Sequence, residues 1–119
     1  MKLRSLPHHL SVAKYPIVPE ALSGFYTLSV TGGEISLVAE TERLPQGYTH
    51  REEGWRALVI EGPLDFSLVG VLSGISSAIA ERGIPLFAIS TYDTDYVLVK
   101  EGDYDAACAA LKQKGYIII

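Results

Sequence analysis

The stretch from Glu61 to Lys100 changes its hydrophobic period twice, and this constrains the fold more than any other feature of the chain. Leu68, Val71, Leu72, Ile75 and Ile79 recur at three- and four-residue steps, which aligns them on one face of a helix. Leu86–Thr91 and Tyr96–Lys100 are instead runs of aromatic and β-branched residues, as in strands. Asp65 or Ser67 can cap the start of the helix, and Gly83 followed by Ile84-Pro85 stops it. Tyr92-Asp-Thr-Asp95 supplies turn chemistry between the strands, because short polar side chains bond their own backbone. A second helix is expected from Asp103 to Lys114, with Tyr104, Ala107, Cys108 and Leu111 on its apolar face. Asp103 can cap that helix, Lys112 and Lys114 suit the negative end of its dipole, and Gly115 ends it. With Ala57–Ile60 before and Tyr116–Ile119 after, the order is βαββαβ.

Gly70 and Gly74 fall inside the first helix, where each costs about 1 kcal/mol against alanine. With Ser77 they make a stripe of small residues. Either a backbone or ligand approaches there, or the helix packs tightly on its sheet.

The run Pro63-Leu-Asp65 … Val69-Gly70-Val71-Leu72 … Arg82-Gly83-Ile84 … Ile89-Ser90-Thr91 resembles the ACT-domain signature. In that family an aspartate-containing turn precedes a Gly-Val-Leu helix start, and a Gly-Ile break leads into an Ile-Ser-Thr strand. The phrase Ser90-Thr-Tyr-Asp-Thr-Asp-Tyr96 is similar to that of short bacterial tandem-ACT proteins related to the CASTOR-type arginine sensors. The resemblance implies an α+β, ferredoxin-like βαββαβ fold, a regulatory role and an amino-acid ligand.

The earlier part of the chain reads as an abbreviated copy. Leu10–Ala13 opens a strand, Pro16 to Pro19 breaks it, and Glu20-Ala-Leu22 has room for one helical turn. Phe25–Val30 and Ile35–Ala39 flank Thr31-Gly-Gly-Glu34, a hairpin signal. A gap-free shift of 61 places Ser29, Leu37, Val38 and Glu40 on Ser90, Leu98, Val99 and Glu101. In place of a regular second helix comes Glu42–Gly54, with Pro45-Gln-Gly47 marking a loop, or a short helix. The expectation is two tandem ACT-like modules: residues 1–54, degenerate, and residues 55–119, complete.

Composition excludes several classes. With a formal charge of −4 and no arginine-rich stripe, the chain lacks the footprint of a nucleic-acid binder. No apolar run approaches membrane-spanning length and no signal-peptide pattern opens the chain, so no membrane association and a cytoplasmic location are expected. The lone Cys108 sits on an apolar helix face as a core residue. His8 and His9 point to opposite faces of a strand, and with only His50 besides, no zinc site and no cofactor are expected. There is no Ser-His-Asp, Cys-His or phosphate-loop pattern, so no enzyme is expected. The continuous apolar runs Ala57–Ile60, Leu86–Ile89, Tyr96–Val99 and Tyr116–Ile119 imply sheets covered on both faces. Helices cover one face. The other must meet the first module or a second subunit, and the resemblance to ACT modules, which usually pair, implies a homodimer.

The resemblance implies a small-molecule site near the turn after the first strand of the second module, at an interface between modules, and the later hairpin turn offers further polar groups. Amides near Leu68, Val69 and Gly70 would lie at a helix N-terminus, which favours a carboxylate. Asp65, Asp93 or Asp95 would accept an ammonium, the sensor-like phrase implies that backbone groups of Ser90, Thr91 and Tyr92 add orientation, and Thr94 belongs to the same candidate segment. Each also has a purely structural reading, Asp65 as a helix cap and Asp93 and Asp95 as turn residues, which explains the latter two more simply than a carboxylate pair or hard-cation site does. The function expected is a small-molecule sensor acting through a regulated protein partner. The alternative is an ACT-fold interaction or structural module that binds no ligand.

Overall fold

The computed structural model describes residues 1–61 and 70–119, which form two compact units. One comprises Met1–Pro7 with Arg56–Ile119, and the other His8–Trp55. Strand β5, His50–Ile60, runs through both: residues 50–55 belong to the latter unit and 56–60 to the former.

The C-terminal unit is built from β5, helix α1 (Val71–Ala80), β6 (Phe87–Ser90), β7 (Asp95–Lys100), helix α2 (Tyr104–Gln113) and β8 (Ile117–Ile118). This is the expected βαββαβ order, with one addition. Strand β1, Lys2–Ser5, lies between β5 and β8, antiparallel to the first and parallel to the second. The sheet order is therefore β6-β7-β5-β1-β8. The division at residue 54 leaves the N-terminal segment with the first module, whereas Met1–Pro7 belongs to the C-terminal unit. Lys2-Leu-Arg-Ser is too short to show a period, and its place is set by two pairing partners far along the chain.

Leu3, Leu58, Ile60, Val97 and Val99 point from this sheet onto Ile75 and Ile79 of α1 and Ala107, Cys108 and Leu111 of α2. Alternation along the strands sends Ala57, Val59, Tyr96 and Leu98 to the opposite face. Of these, Ala57 and Leu98 are buried and Val59 and Tyr96 half-buried. Gly83 and Gly115, both at positive φ, end the two helices.

Two local expectations are corrected. Gly70 is the N-cap of α1, with left-handed backbone at φ 79°, and not an interior helical residue. Asp103 precedes α2 but makes no side-chain cap bond. It closes a 3-10 turn, Glu101–Asp103, in a helical conformation, whereas a capping acceptor needs an extended one. Gly74 does lie inside α1, and a Cβ there would come within 2.9 Å of the Tyr116 hydroxyl, so a side chain fills the space beside the small stripe. The alternative caps Asp65 and Ser67 lie outside the described residues.

The N-terminal unit contains β2 (Leu10–Tyr15), β3 (Tyr26–Val30), β4 (Ile35–Glu40) and the first part of β5, in the antiparallel order β3-β4-β2-β5. Ala13, Tyr15, Leu37 and Ala39 form its core, with Leu22, Leu28, Ile35, Leu44 and Tyr48 packed around them. Buried Ser11 is satisfied by the Thr41 hydroxyl at 2.8 Å. No helical turn forms at Glu20–Leu22, where Ala21 takes φ 56°. The end of the expected loop, His50–Gly54, is strand. Its charged residues pair with Lys14, Ala13 and Val12, so cross-strand bonding overrides poor β-propensity. The register slips between Leu10 and Val12, and Gly54, at φ 88°, supplies the left-handed residue of the bulge.

The two hairpins correspond, but at a shift of 60. Val30 faces Ile35 as Ser90 faces Asp95, and Leu37–Ala39 are buried as Val97–Val99 are. Each hairpin runs into a 3-10 turn, Thr41–Arg43 and Glu101–Asp103. The identities found at a shift of 61 are thus one residue out of register, and a one-residue slip puts every side chain on the wrong face. Thr31 and Thr91 are the matching residues at the turn, and Gly32-Gly33 correspond to Tyr92-Asp93.

If β1 is an integral strand, Leu3→Ala costs about 2–5 kcal/mol, as for any large buried side chain. Urea unfolding measures this, and a loss under about 1 kcal/mol is the outcome for a peripheral segment.

Candidate functional site

The later hairpin closes through Thr91. Its amide donates to the Thr94 carbonyl at 2.8 Å and its hydroxyl to the same oxygen at 3.1 Å. The earlier turn is built alike, with the Thr31 amide and hydroxyl donating to Glu34 at 3.0 and 3.3 Å. Threonine suits this position because a hydroxyl on a β-branched carbon reaches over its own turn. The Ser90 hydroxyl donates to an Asp95 carboxylate oxygen across the last pair of the ladder.

Thr94 makes the connection that matters for the site. Its hydroxyl donates to the carbonyl of Ile60, at the end of β5, at 2.5 Å. The hairpin tip is thereby tied to the strand that leads into the other predicted joint. From its other side β5 is held by β1: the Glu61 amide donates to Lys2 at 3.1 Å, and Arg4 pairs with the Glu61 carboxylate at 2.7 Å. Of the sequence-predicted site residues, Ser90 through Asp95 therefore share one tip beside the end of β5. Asp65 and Val69 lie outside the described residues. Gly70 is exposed, and among the described residues nothing lies within 4 Å of where its Cβ would stand.

The polar groups at the tip differ in what they have left to offer. Thr91, Thr94 and Ser90 spend their hydroxyl hydrogens within the protein, and Asp95 receives one of them. Tyr92 is 79% exposed. Asp93 is exposed at the apex. Among the described residues, no group of three His, Cys, Asp or Glu side chains is placed to hold a metal ion. His8 is taken up by contact with Glu40 at 3.2 Å and stacking on Phe25.

A second polar cluster in the C-terminal unit has no counterpart in the sequence reading. The Arg56 guanidinium lies over the Tyr104 ring, 4.3 Å from its centre, with Leu6 carbonyl and Glu101 carboxylate contacts at 3.4 and 3.5 Å. The Tyr104 hydroxyl bonds the Ser5 hydroxyl. Burial pushes the Tyr104 hydroxyl up from its ordinary range, partly offset by that bond. Burial likewise raises the Cys108 thiol, opposed by a hydrogen bond with Tyr104. A charge–ring contact between residues 48 apart carries no sequence signal. The cluster fastens β1, β5 and α2 together.

The ACT domain family model matches residues 50–113, which is 64 of the chain's 119 residues. A crystal structure of an Agrobacterium tumefaciens protein is 27% identical, covers 99% of this chain and 91% of that one, and superposes with a TM-score of 0.88. The regulatory subunit of aspartate kinase from Thermus thermophilus, in ligand-free form, is 15% identical and covers 93% of this chain and 95% of that one, at a TM-score of 0.63. Aspartate kinase from Clostridium acetobutylicum, described as an allosteric enzyme, is 10% identical at a TM-score of 0.69. It covers 93% of this chain and 34% of that one. The last two likenesses speak to fold alone.

Thr94→Val should cost about 0.5–1.5 kcal/mol, the worth of one hydrogen bond, in urea unfolding. Gly70→Ala should cost about 1–2 kcal/mol through left-handed strain, since among the described residues no atom obstructs the methyl group. The pH dependence has a definite sign. Tyr104 and Cys108 hold their protons more tightly folded than unfolded, so the stability this confers is complete below their ordinary ranges. It is lost as pH rises above about 8.5 and through the raised folded values. Cys108→Ala should flatten that alkaline loss in denaturation curves taken at successive pH values.

Proposed function

This chain belongs to the ACT domain family, and from that membership we propose that it is a regulatory module which binds an amino acid at the joined hairpin tip and acts on a partner protein. The observation that carries this reading is the Thr94–Ile60 hydrogen bond, which sets the tip against the end of β5. A ligand contacting Asp93 at that apex would press on a point fixed by two other strands. Asp93 takes the ammonium, the open backbone at Gly70 allows close approach, and Ser90, Thr91, Tyr92, Thr94 and Asp95 shape the seat. Asp65 and Val69 belong to the same proposal on the strength of the family resemblance. The module does no chemistry of its own.

The chain is further proposed to be a tandem of ACT-like modules with a degenerate first copy, of the kind related to CASTOR-type arginine sensors, working as a cytoplasmic homodimer. The matching hairpins at a shift of 60 support the duplication. Half-buried Phe87, Ile89 and Tyr96, with Ile117 and Ile119 about half exposed, support an apolar contact with a second subunit. Among the described residues no helix is long and apolar enough to cross a membrane.

One observation favours the alternative, an interaction module without a ligand: most hydroxyls of the tip are already satisfied internally. A thermal-shift screen against the twenty amino acids separates the two readings. A ligand at a hundred times its Kd adds about 2.7 kcal/mol to apparent stability. The expected result is a shift with one amino acid that Asp93→Ala abolishes. A flat screen at millimolar concentrations sinks the sensor reading and leaves the interaction module.

A further inference from the structure

Two adjoining hollows, of about 520 and 340 Å³, open on the sheet of the N-terminal unit and share Lys14 and Glu34 in their walls. Strand register explains what lines them. Ser36, Lys14 and His50 stand abreast across β4, β2 and β5, and Val38, Val12 and Glu52 stand abreast one row further on. Successive residues on one face of a strand are about 7 Å apart. A lysine thus occupies the middle of the hollow between a hydroxyl and an imidazole. Glu34, at the hairpin turn two residues before Ser36, brings a carboxylate to one end of it. Among the described residues the Lys14 ammonium makes no hydrogen bond or ion pair, and neither does the Glu34 carboxylate.

Unlike charges held one row apart, each without its own counter-ion, suit a small molecule that carries both. We propose that this hollow binds a short zwitterion whose charges lie about 7 Å apart, as in an ω-amino acid or a dipeptide. Its carboxylate sits on the Lys14 ammonium and the Ser36 hydroxyl, and its ammonium sits on Glu34. The volume is in the range of small-molecule sites, and Val12 gives the floor an apolar surface for the methylenes between the charges. The site shares no residue with the hairpin tip of the C-terminal unit and does not depend on the function proposed there.

Amide chemical shifts of the full chain, titrated with 5-aminopentanoate, pentanoate and pentylamine, test the proposal. The three probes have nearly the same length and differ in which charge they carry. Saturable shifts at Lys14, Ser36 and His50 are expected with 5-aminopentanoate, at least tenfold tighter than with either single-charge analogue. Lys14→Gln, at an exposed position, should weaken that binding at least tenfold, and Gly70→Ala should leave it unchanged. Equal affinity for all three probes, no saturable shift, or undiminished binding by Lys14→Gln would each overturn the site. Shifts confined to Thr91–Thr94 would overturn it too, while favouring the hairpin tip.

Discussion

The end of β5 is gripped from both sides, and the organisation of the C-terminal unit depends on that grip. On one side β1 pairs with Leu58–Ile60 and takes the Glu61 amide, and on the other the Thr94 hydroxyl closes on the Ile60 carbonyl. An open edge at either place would leave backbone groups at the foot of the core to water. Instead the fully buried pair Leu3 and Ile60 face each other, and the helices pack on a sheet whose central strand cannot drift. A binding event at the tip is transmitted only if the tip rests on something rigid. The Thr94 hydroxyl on the Ile60 carbonyl ties the tip to the strand through a single side chain.

Much of this was legible in the chain itself, where residues had enough neighbours to set a period. Ile75 and Ile79, or Ala107, Cys108 and Leu111, announce helices because three- and four-residue recurrence is hard to satisfy otherwise. The turn at Thr91–Thr94 is legible from its short polar side chains. Gly70 was misread because the sign of φ is invisible in a sequence: a glycine before a helix and one within it look alike. β1 was missed because a single buried Leu3 in four residues makes no pattern. The strand at His50–Gly54 was hidden by charges that suit a solvated face, and only its pairing with β2 reveals it.

The two hairpins bear on how such a chain arises. Their second strands agree in length and burial at a shift of 60, as do the threonine turn bonds and the following 3-10 turns, yet in the turn only Thr31 and Thr91 coincide in identity. Letter matches one step away point to opposite faces of the sheet, so they cannot descend from the same structural roles. The apices then differ where chemistry would matter: Gly32-Gly33 offers no side chain, whereas Tyr92-Asp93 offers a ring and a carboxylate. On the proposed reading the later tip keeps the ligand and the earlier one keeps only the fold.

Hydrogen exchange, resolved by residue, distinguishes these roles most directly. It is measured with and without the amino acid that stabilises the chain. Binding at the later tip should slow exchange at the Thr91 and Glu61 amides beyond the general stabilisation, because both belong to the clamp around Ile60. The Thr31 amide, in the corresponding turn, should follow the general effect alone. Equal protection of Thr31 and Thr91, or protection that bypasses Glu61, would contradict the claim that the clamped joint is where the ligand acts.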